Sequence, residues 1–134
     1  MNLHKKEYQD LKRYKYNIKR ERSIYYIQLY RIIDSLFIKT SPKFLNFWRV
    51  YIYRFFGANI GSGVRIMPSA KFLYPWNIVI GNDCWIGENV ELYSVNKILI
   101  GDNVAFAHNI FVATAAHDIE LVTFPTITKQ VVFK

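Results

Sequence analysis

Cysteine occurs once in the 134 residues, at Cys84, so neither an intramolecular disulfide nor a cysteine-based zinc cluster can form. Such usage fits a reducing compartment. Long apolar runs are missing as well. The best stretch, Ile24–Ile38, has 15 residues and includes Gln28, Arg31 and Asp34, short of the roughly 20 apolar residues a spanning helix needs. The basic start is not followed by a small-residue cleavage site, so no secretory signal is read. Neither the P-loop nor the dinucleotide glycine fingerprint occurs, which leaves no phosphate cradle of those kinds. Acidic residues are scarce, 10 against 18 Lys and Arg.

That imbalance is local. Residues 1–22 hold eight Lys or Arg and three Asp or Glu, so five of the eight net positive charges fall in this lead. The basic pI therefore describes a tail, and no nucleic-acid partner is expected from it. Hydrophobic residues make up 51% of the chain, ample for a core.

Two grammars follow the lead. From Ile24 apolar residues recur at helical spacing through Ile27, Tyr30 and on to Phe37. Ser41-Pro42 breaks the run, and proline suits the first turn of a new helix. Phe44, Phe47, Trp48, Tyr51, Ile52 and Phe55 then follow the i, i+3, i+4 pattern up to Gly57, a C-cap position. The spacing predicts two amphipathic helices, over 22–38 and 42–56, expected to cap whatever follows.

After Gly57 three lines stack on one another with a period of 20: IGSGVRIMPSAKF from Ile60, IGNDCWIGENVEL from Ile80 and IGDNVAFAHNIFV from Ile100. Within each, large apolar residues return every six: Ile60, Ile66, Phe72; Ile80, Ile86, Leu92; Ile100, Phe106, Val112. Four positions later come second, mostly smaller inward candidates: Val64, Ala70, Trp76; Cys84, Val90, Asn96; Val104, Ile110, Ala116. A period of six is neither helical nor that of a simple strand. It fits a solenoid with three short flat faces, eighteen residues per coil and two more bulging at one corner. Glycines 61, 81, 87 and 101 stand where close backbone packing or an unusual φ is required. Cys84 on an inward position reads as buried rather than nucleophilic. The chain divides into residues 1–57, the lead and helices, and 58–134, a repeat unit of about three coils with a loop over 117–130.

These lines resemble the hexapeptide-repeat acyltransferases. The closest likeness is to sugar O-acetyltransferases of the colanic-acid-biosynthesis type, from about residue 30 to 129, through SPKFLNFWRVYIYRFFGANIGSGVRI, YPWNIVIGNDCWIGENVELYSV, ILIGDNVAFAHNIFVATAAHD and FPTITK. The resemblance implies a mainly β, left-handed parallel β-helix after two N-terminal helices, working as a homotrimer. It implies acetyl transfer from acetyl-CoA, as co-substrate, to a sugar hydroxyl in cell-surface polysaccharide biosynthesis. The chain departs from the family at Thr114-Ala115-Ala116-His117-Asp118, where relatives carry a glycine before the histidine, and at Phe106-Ala107-His108, where they carry small polar residues. Relatives also continue through further coils that make most coenzyme contacts. Val131–Lys134 stands where another coil begins, so the sequence reads as C-terminally truncated. Coenzyme-binding residues are accordingly not assigned, and a catalytically inactive remnant serving as an assembly or interaction module is the alternative.

Removing a hydroxyl proton during attack on a thioester suits a neutral imidazole. The repeat phase places His117 at a coil corner, beside the loop, and the family likeness gives that position to the general base, with Asp118 fixing the loop or orienting the ring. The same likeness puts Asn89 near the acceptor, with Glu91 and Tyr93 on the same outward edge. His108 reads as a mid-face surface residue, and His4 belongs to the lead. Trp76 and Trp85 are expected to pack against the helices rather than stack on sugar. No metal is expected. The partners expected are a sugar or lipid-linked saccharide and further copies of the chain. The location expected is the cytoplasm, with peripheral contact at the inner membrane face through the basic N-terminus.

Overall fold

Each six-residue step of the repeat carries the backbone along one face of a three-sided solenoid. The computed structural model describes residues 19–117 and 126–134; the lead up to residue 18, including His4, and Asp118 with the loop to residue 125 lie outside them. Face A is a parallel sheet of β1 (Asn59–Ile60), β4 (Ile78–Ile80), β7 (Ile98–Ile100) and β12 (Val131–Phe133). Face B stacks β2 (Arg65–Ile66), β5 (Trp85–Ile86) and β8 (Ala105–Phe106), and face C stacks β3 (Lys71–Phe72), β6 (Glu91–Tyr93) and β9 (Phe111–Ala113). Register follows the repeat: Ile60 pairs with Ile80 and Ile80 with Ile100, Ile66 with Ile86 and Ile86 with Phe106, Phe72 with Leu92 and Leu92 with Val112. All nine of these side chains are buried.

The second inward series holds at two corners and fails at the third. Val64, Ala70, Cys84 and Val90 are buried. Trp76 and Asn96 are only half-buried, and Ala116 is exposed. The two extra residues fall at this third corner, where the wider turn needs polar filling instead. There Asn77 donates to the carbonyls of Ser94 (2.9 Å) and Val95 (3.1 Å). Val104 and Ile110 of the third coil are half-buried, since only β12 lies on that coil among the described residues.

Three of the four repeat glycines, Gly61, Gly81 and Gly87, answer to close approach rather than to φ, while a Cβ on Gly101 would meet nothing nearer than the Phe133 carbonyl oxygen at 3.3 Å. A Cβ on Gly87 would lie 2.6 Å from the Ala107 carbonyl oxygen and 2.8 Å from that of Phe106, distances that the stacked backbones leave to glycine alone. Left-handed φ appears elsewhere, at Gly63 (70°), Asp83 (54°) and Asn103 (58°) on one corner and at Asn89 (56°) and Asn109 (60°) on the next. Asn and Asp tolerate this region better than other L-residues.

The helices cap the first coil. Helix α1 (Ile24–Ile33) starts under a Ser23 cap and runs into a π-helical turn, Asp34–Ile38, closed by Lys39 N–H to Asp34 O at 3.0 Å. Helix α2 spans Asn46–Phe55. It starts four residues later than Pro42 suggests, because Arg49 occupies the carbonyls of Pro42 and Lys43 from below. It ends before Gly57, whose φ of 95° provides the expected C-cap turn. The buried faces are Ile27, Tyr30, Asp34 and Ile38 from the first segment and Arg49, Val50, Ile52 and Tyr53 from α2, with Phe56 just after it. Most of the stripe that the helical spacing marks, including Phe44, Phe47, Trp48, Tyr51 and Phe55, is exposed instead. Trp76 meets the helices as expected, edge-on to Tyr26 at 5.5 Å and to Tyr30 at 6.5 Å. Trp85 does not; it lies on face B beneath the Arg65 guanidinium, 5.9 Å from its ring centre.

Asp34 makes this cap pH-sensitive. Its Oδ2 lies 3.3 Å from Lys39 Nζ, whereas Oδ1 is buried without a hydrogen bond. Burial pushes the carboxyl above the usual aspartate range, with the Lys39 ammonium opposing. A raised folded pKa means that the folded state binds the proton more tightly than the unfolded chain. Stability therefore falls as pH rises from the ordinary aspartate range through the folded value. Asp34→Asn is expected to flatten this part of a melting-temperature–pH profile and to melt no lower than wild type at neutral pH. A variant that melts well below wild type there would show that the Lys39 pair outweighs the burial of the charge.

Candidate functional site

The third corner differs in the third coil. From Ile78 to its partner Ile98 the chain takes 20 residues, but from Ile98 to its partner Val131 it takes 33. The additional length leaves the corner as an antiparallel pair, β10 (Ala115–His117) with β11 (Thr126–Thr128), in which His117 faces Thr126. The expected loop over 117–130 thus has strand-paired ends, and the chain re-enters face A at β12.

Thr114 is the hinge of this excursion. Its side chain is buried and its Oγ1 donates to Tyr93 O at 3.0 Å while accepting Asn96 N–H at 2.8 Å. Its own N–H reaches Tyr93 O at 3.1 Å, and its carbonyl receives Lys129 N–H at 2.9 Å. One residue thereby ties together both ends of the hairpin and the coil below. Ser94 does similar work one coil earlier, exchanging bonds of 3.0 Å with Tyr74. Sequence reasoning missed Thr114, although the hydroxyls at 94 and 114 stand one 20-residue period apart. Thr114→Val is expected to cost about 1–3 kcal/mol, because the Asn96 amide is left without its acceptor. Amide exchange at Asn96 and Lys129 should quicken, and unchanged exchange at both would remove the hinge role.

The expected site residues are only partly brought together. His117 is three residues beyond Thr114, on the strand leaving the corner, and Asp118 lies outside the described residues. Tyr93 is adjacent: its carbonyl takes both Thr114 bonds and its ring lies 6.2 Å from that of Phe111. Glu91, on the same strand, is 3.8 Å from Lys71 Nζ. With Lys71, Lys39, Arg31 and Asp34 it lines a polar recess of about 140 Å³ between face C and the helical cap. Asn89 is at the far end of face C from the hairpin. It is exposed, its N–H donates to Ser69 Oγ at 2.9 Å, and its amide donates to Asn109 Oδ1 at 3.2 Å. Its left-handed φ gives it a turn-forming role that needs no substrate.

His108 is exposed, as expected, but it sits in the turn between β8 and β9 rather than mid-face. Its Nδ1 accepts Glu88 N–H at 3.1 Å, which fixes the proton of the neutral ring on Nε2. The Lys43 ammonium, 2.5 Å from the Glu88 carboxylate, holds that carboxyl below its usual range. Cys84 is buried, and its thiol lies 3.0 Å from Gly101 O. Among the described residues no three His, Cys, Asp or Glu side chains come together as a metal site.

No protein-family profile matches the chain. Two curated relatives do, both assigned as colanic acid biosynthesis acetyltransferase WcaF, from Escherichia coli (strain K12) and Shigella flexneri. Each is 36% identical over 92 residues, covering 69% of this chain and 50% of the relative. The chain therefore spans about half the length of the curated relatives it matches. Among solved structures, the hexapeptide-repeat-containing acetyltransferase VCA0836 from Vibrio cholerae superposes with a TM-score of 0.64 at 24% identity. That match covers 79% of this chain and 62% of the other.

Proposed function

The chain is homologous to the colanic acid biosynthesis acetyltransferases, and from that premise we propose that it serves acetyl transfer from acetyl-CoA to a sugar hydroxyl. The observation that carries this reading is the hairpin at the third corner. A strand-paired excursion interrupts the solenoid at His117, the position that likeness to the family gives to the general base. In this reading the coils wind left-handed, three copies assemble, and each His117 faces a cleft shared with a neighbouring copy. The protein acts in the cytoplasm, on a sugar or a lipid-linked saccharide of a cell-surface polysaccharide.

The chemistry asks little more of these residues than placement. The neutral imidazole of His117 takes the acceptor proton as the hydroxyl oxygen forms its bond to the thioester carbonyl carbon. The carbon–sulfur bond then breaks, and the imidazolium returns the proton to the departing coenzyme thiolate. Thr114 holds the strand that carries the base, and Asp118 orients it. Glu91 and Tyr93 offer oxygen atoms along face C for sugar hydroxyls. Asn89 lies further from the hairpin and is the weakest of the acceptor contacts. In the family the oxyanion of the tetrahedral intermediate takes a backbone N–H from a later coil, which also makes most coenzyme contacts, and no described residue is assigned to either role.

The test is thiol release from acetyl-CoA with a pool of sugar acceptors. Release that depends on acceptor supports the reading. Release that proceeds equally without acceptor, or none with any acceptor, counts against it.

A further inference from the structure

The recess between face C and the helical cap collects charge of both signs. Arg31, Asp34 and Lys39 line it from the cap, and Lys71 and Glu91 line it from the first two coils. Three cations thus face two carboxylates, a surplus of one positive charge. Lys39 Nζ lies 3.3 Å from Asp34 Oδ2, whereas Lys71 Nζ stands 3.8 Å from Glu91 Oε2, a loose pair between two accessible side chains. The exposed Arg31 side chain has no hydrogen bond or ion pair among the described residues. Asp34 is only 8% exposed, and its Oδ1 is buried without a partner. A buried carboxylate oxygen with no donor is uncommon in a folded protein and calls for an explanation.

The two signs together limit what the recess can take. A bare oxyanion would gain Arg31 and Lys71 but press against Glu91 and Asp34. A neutral sugar would satisfy the carboxylates and leave the Arg31 fork idle. A group with one negative charge among several hydroxyls uses both. The guanidinium and ammonium donate to its oxyanion, and its hydroxyls donate to the carboxylates. Size points the same way. The recess of about 140 Å³ falls below the roughly 300–1,000 Å³ of pockets that enclose a whole drug-sized ligand, so it holds one ring-sized unit of a larger molecule. It also opens toward the hairpin. Glu91 and Tyr93 lie on the same outward side of β6, roughly 6–7 Å apart along the strand, and Tyr93 O receives both Thr114 bonds.

We propose that this recess binds one acidic sugar unit, a pyranose bearing a single carboxylate or phosphate. Arg31 and Lys71 hold the anion, Glu91 accepts ring hydroxyls, and a hydroxyl reaching the buried end supplies the donor that Asp34 Oδ1 lacks. That the unit belongs to the acetyl acceptor rests on the acetyl-transfer reading; the neighbouring unit then runs along face C toward the hairpin that carries His117.

The experiment is a titration of the full chain, without acetyl-CoA, with glucose, glucuronate, glucose 1-phosphate and inorganic phosphate, followed by backbone amide chemical shifts. Glucuronate, glucose 1-phosphate or both are expected to shift the amides of Lys71 and Glu91 and to bind about fivefold or more tighter than glucose or inorganic phosphate. Which of the two acids binds identifies the oxyanion. Arg31→Gln should weaken that binding about fivefold and Glu91→Gln about threefold. Arg31→Lys should fall between wild type and Arg31→Gln, since it keeps the charge and loses the fork. Neither side chain is buried, and far-UV circular dichroism with a melt confirms that the variants fold. Glucose or inorganic phosphate binding as tightly as the acids, shifts confined to other residues, or an unchanged affinity in Arg31→Gln would each overturn the proposal. Failure of the acetyl-transfer reading looks different. A chain that binds the acids at Lys71 and Glu91 yet releases no thiol keeps the recess and loses that reading, and one that acetylates neutral saccharides while binding neither acid does the reverse.

Discussion

Replacing His117 with alanine is expected to lower acetyl transfer by about 10²–10⁴-fold, the usual contribution of a positioned general base. The loss should fall on turnover, since the imidazole acts on a proton that moves only as the new bond forms. Folding should be spared, because the strand at this position is held by backbone pairing with Thr126 and by the Thr114 clamp. The wild-type rate should also fall on the acid side, where protonation removes the base. The measurement is the initial rate of thiol release by both proteins across pH, with circular dichroism to confirm the fold. An unchanged rate in His117→Ala would move the chemistry to another residue.

Arg49 holds the helical cap to the first coil. Its side chain is fully buried, yet every partner the structure gives it is a neutral oxygen. Nε donates to Ile66 O at 2.8 Å, Nη1 to Ser41 Oγ at 3.0 Å and Pro42 O at 2.7 Å, and Nη2 to Lys43 O at 2.8 Å. Burial lowers its pKa, but a guanidinium stays protonated. One side chain thus joins helix α2, the turn before it and the first strand of face B. Arg49→Met fills similar space and leaves the Ile66 carbonyl without its partner in the core. The Pro42 and Lys43 carbonyls are nearer solvent and recover part of their loss from water. The expected cost is about 3 kcal/mol, a large part of the 5–15 kcal/mol typical of a domain. Urea unfolding should show a lower midpoint, and Arg49→Lys should fall between the two, since an ammonium cannot span the same four acceptors. An unshifted midpoint in Arg49→Met would contradict this account of the cap.

The legible parts of the sequence were those with a rigid period. Ile60, Ile80 and Ile100 could be placed inside the solenoid because a parallel stack repeats every coil, and the same holds for Ile66 and Phe72 with their partners. Cys84 followed from the same register. The third corner broke the rule because, with two extra residues there, the inward position is 94 and 114 instead of 96 and 116, and a hydroxyl caps backbone groups at both. Asp83, Asn89, Asn103 and Asn109 look like ordinary surface polar residues in sequence, yet they hold left-handed turns. The helices misled for a different reason. Periodicity finds an apolar face but cannot say what covers it, and here much of that face points outward while Arg49 and Asp34 point in. Of the candidate site, phase and likeness to the family put His117 beside the excursion, where its backbone pairs with Thr126, and its role as base belongs to the proposal. The hinge at Thr114 was missed, because its one mark, a hydroxyl one period after Ser94, does not show by itself that the chain turns outward there.

The most direct measurement is the identity of the product. The chain is incubated with isotopically labelled acetyl-CoA and a saccharide acceptor, and the acceptor is analysed by mass spectrometry before and after mild alkali. The account predicts a labelled acetyl group on a sugar hydroxyl that alkali removes, as it removes an ester. An acetyl group that survives alkali as an amide, or an acceptor that gains no label, would contradict it.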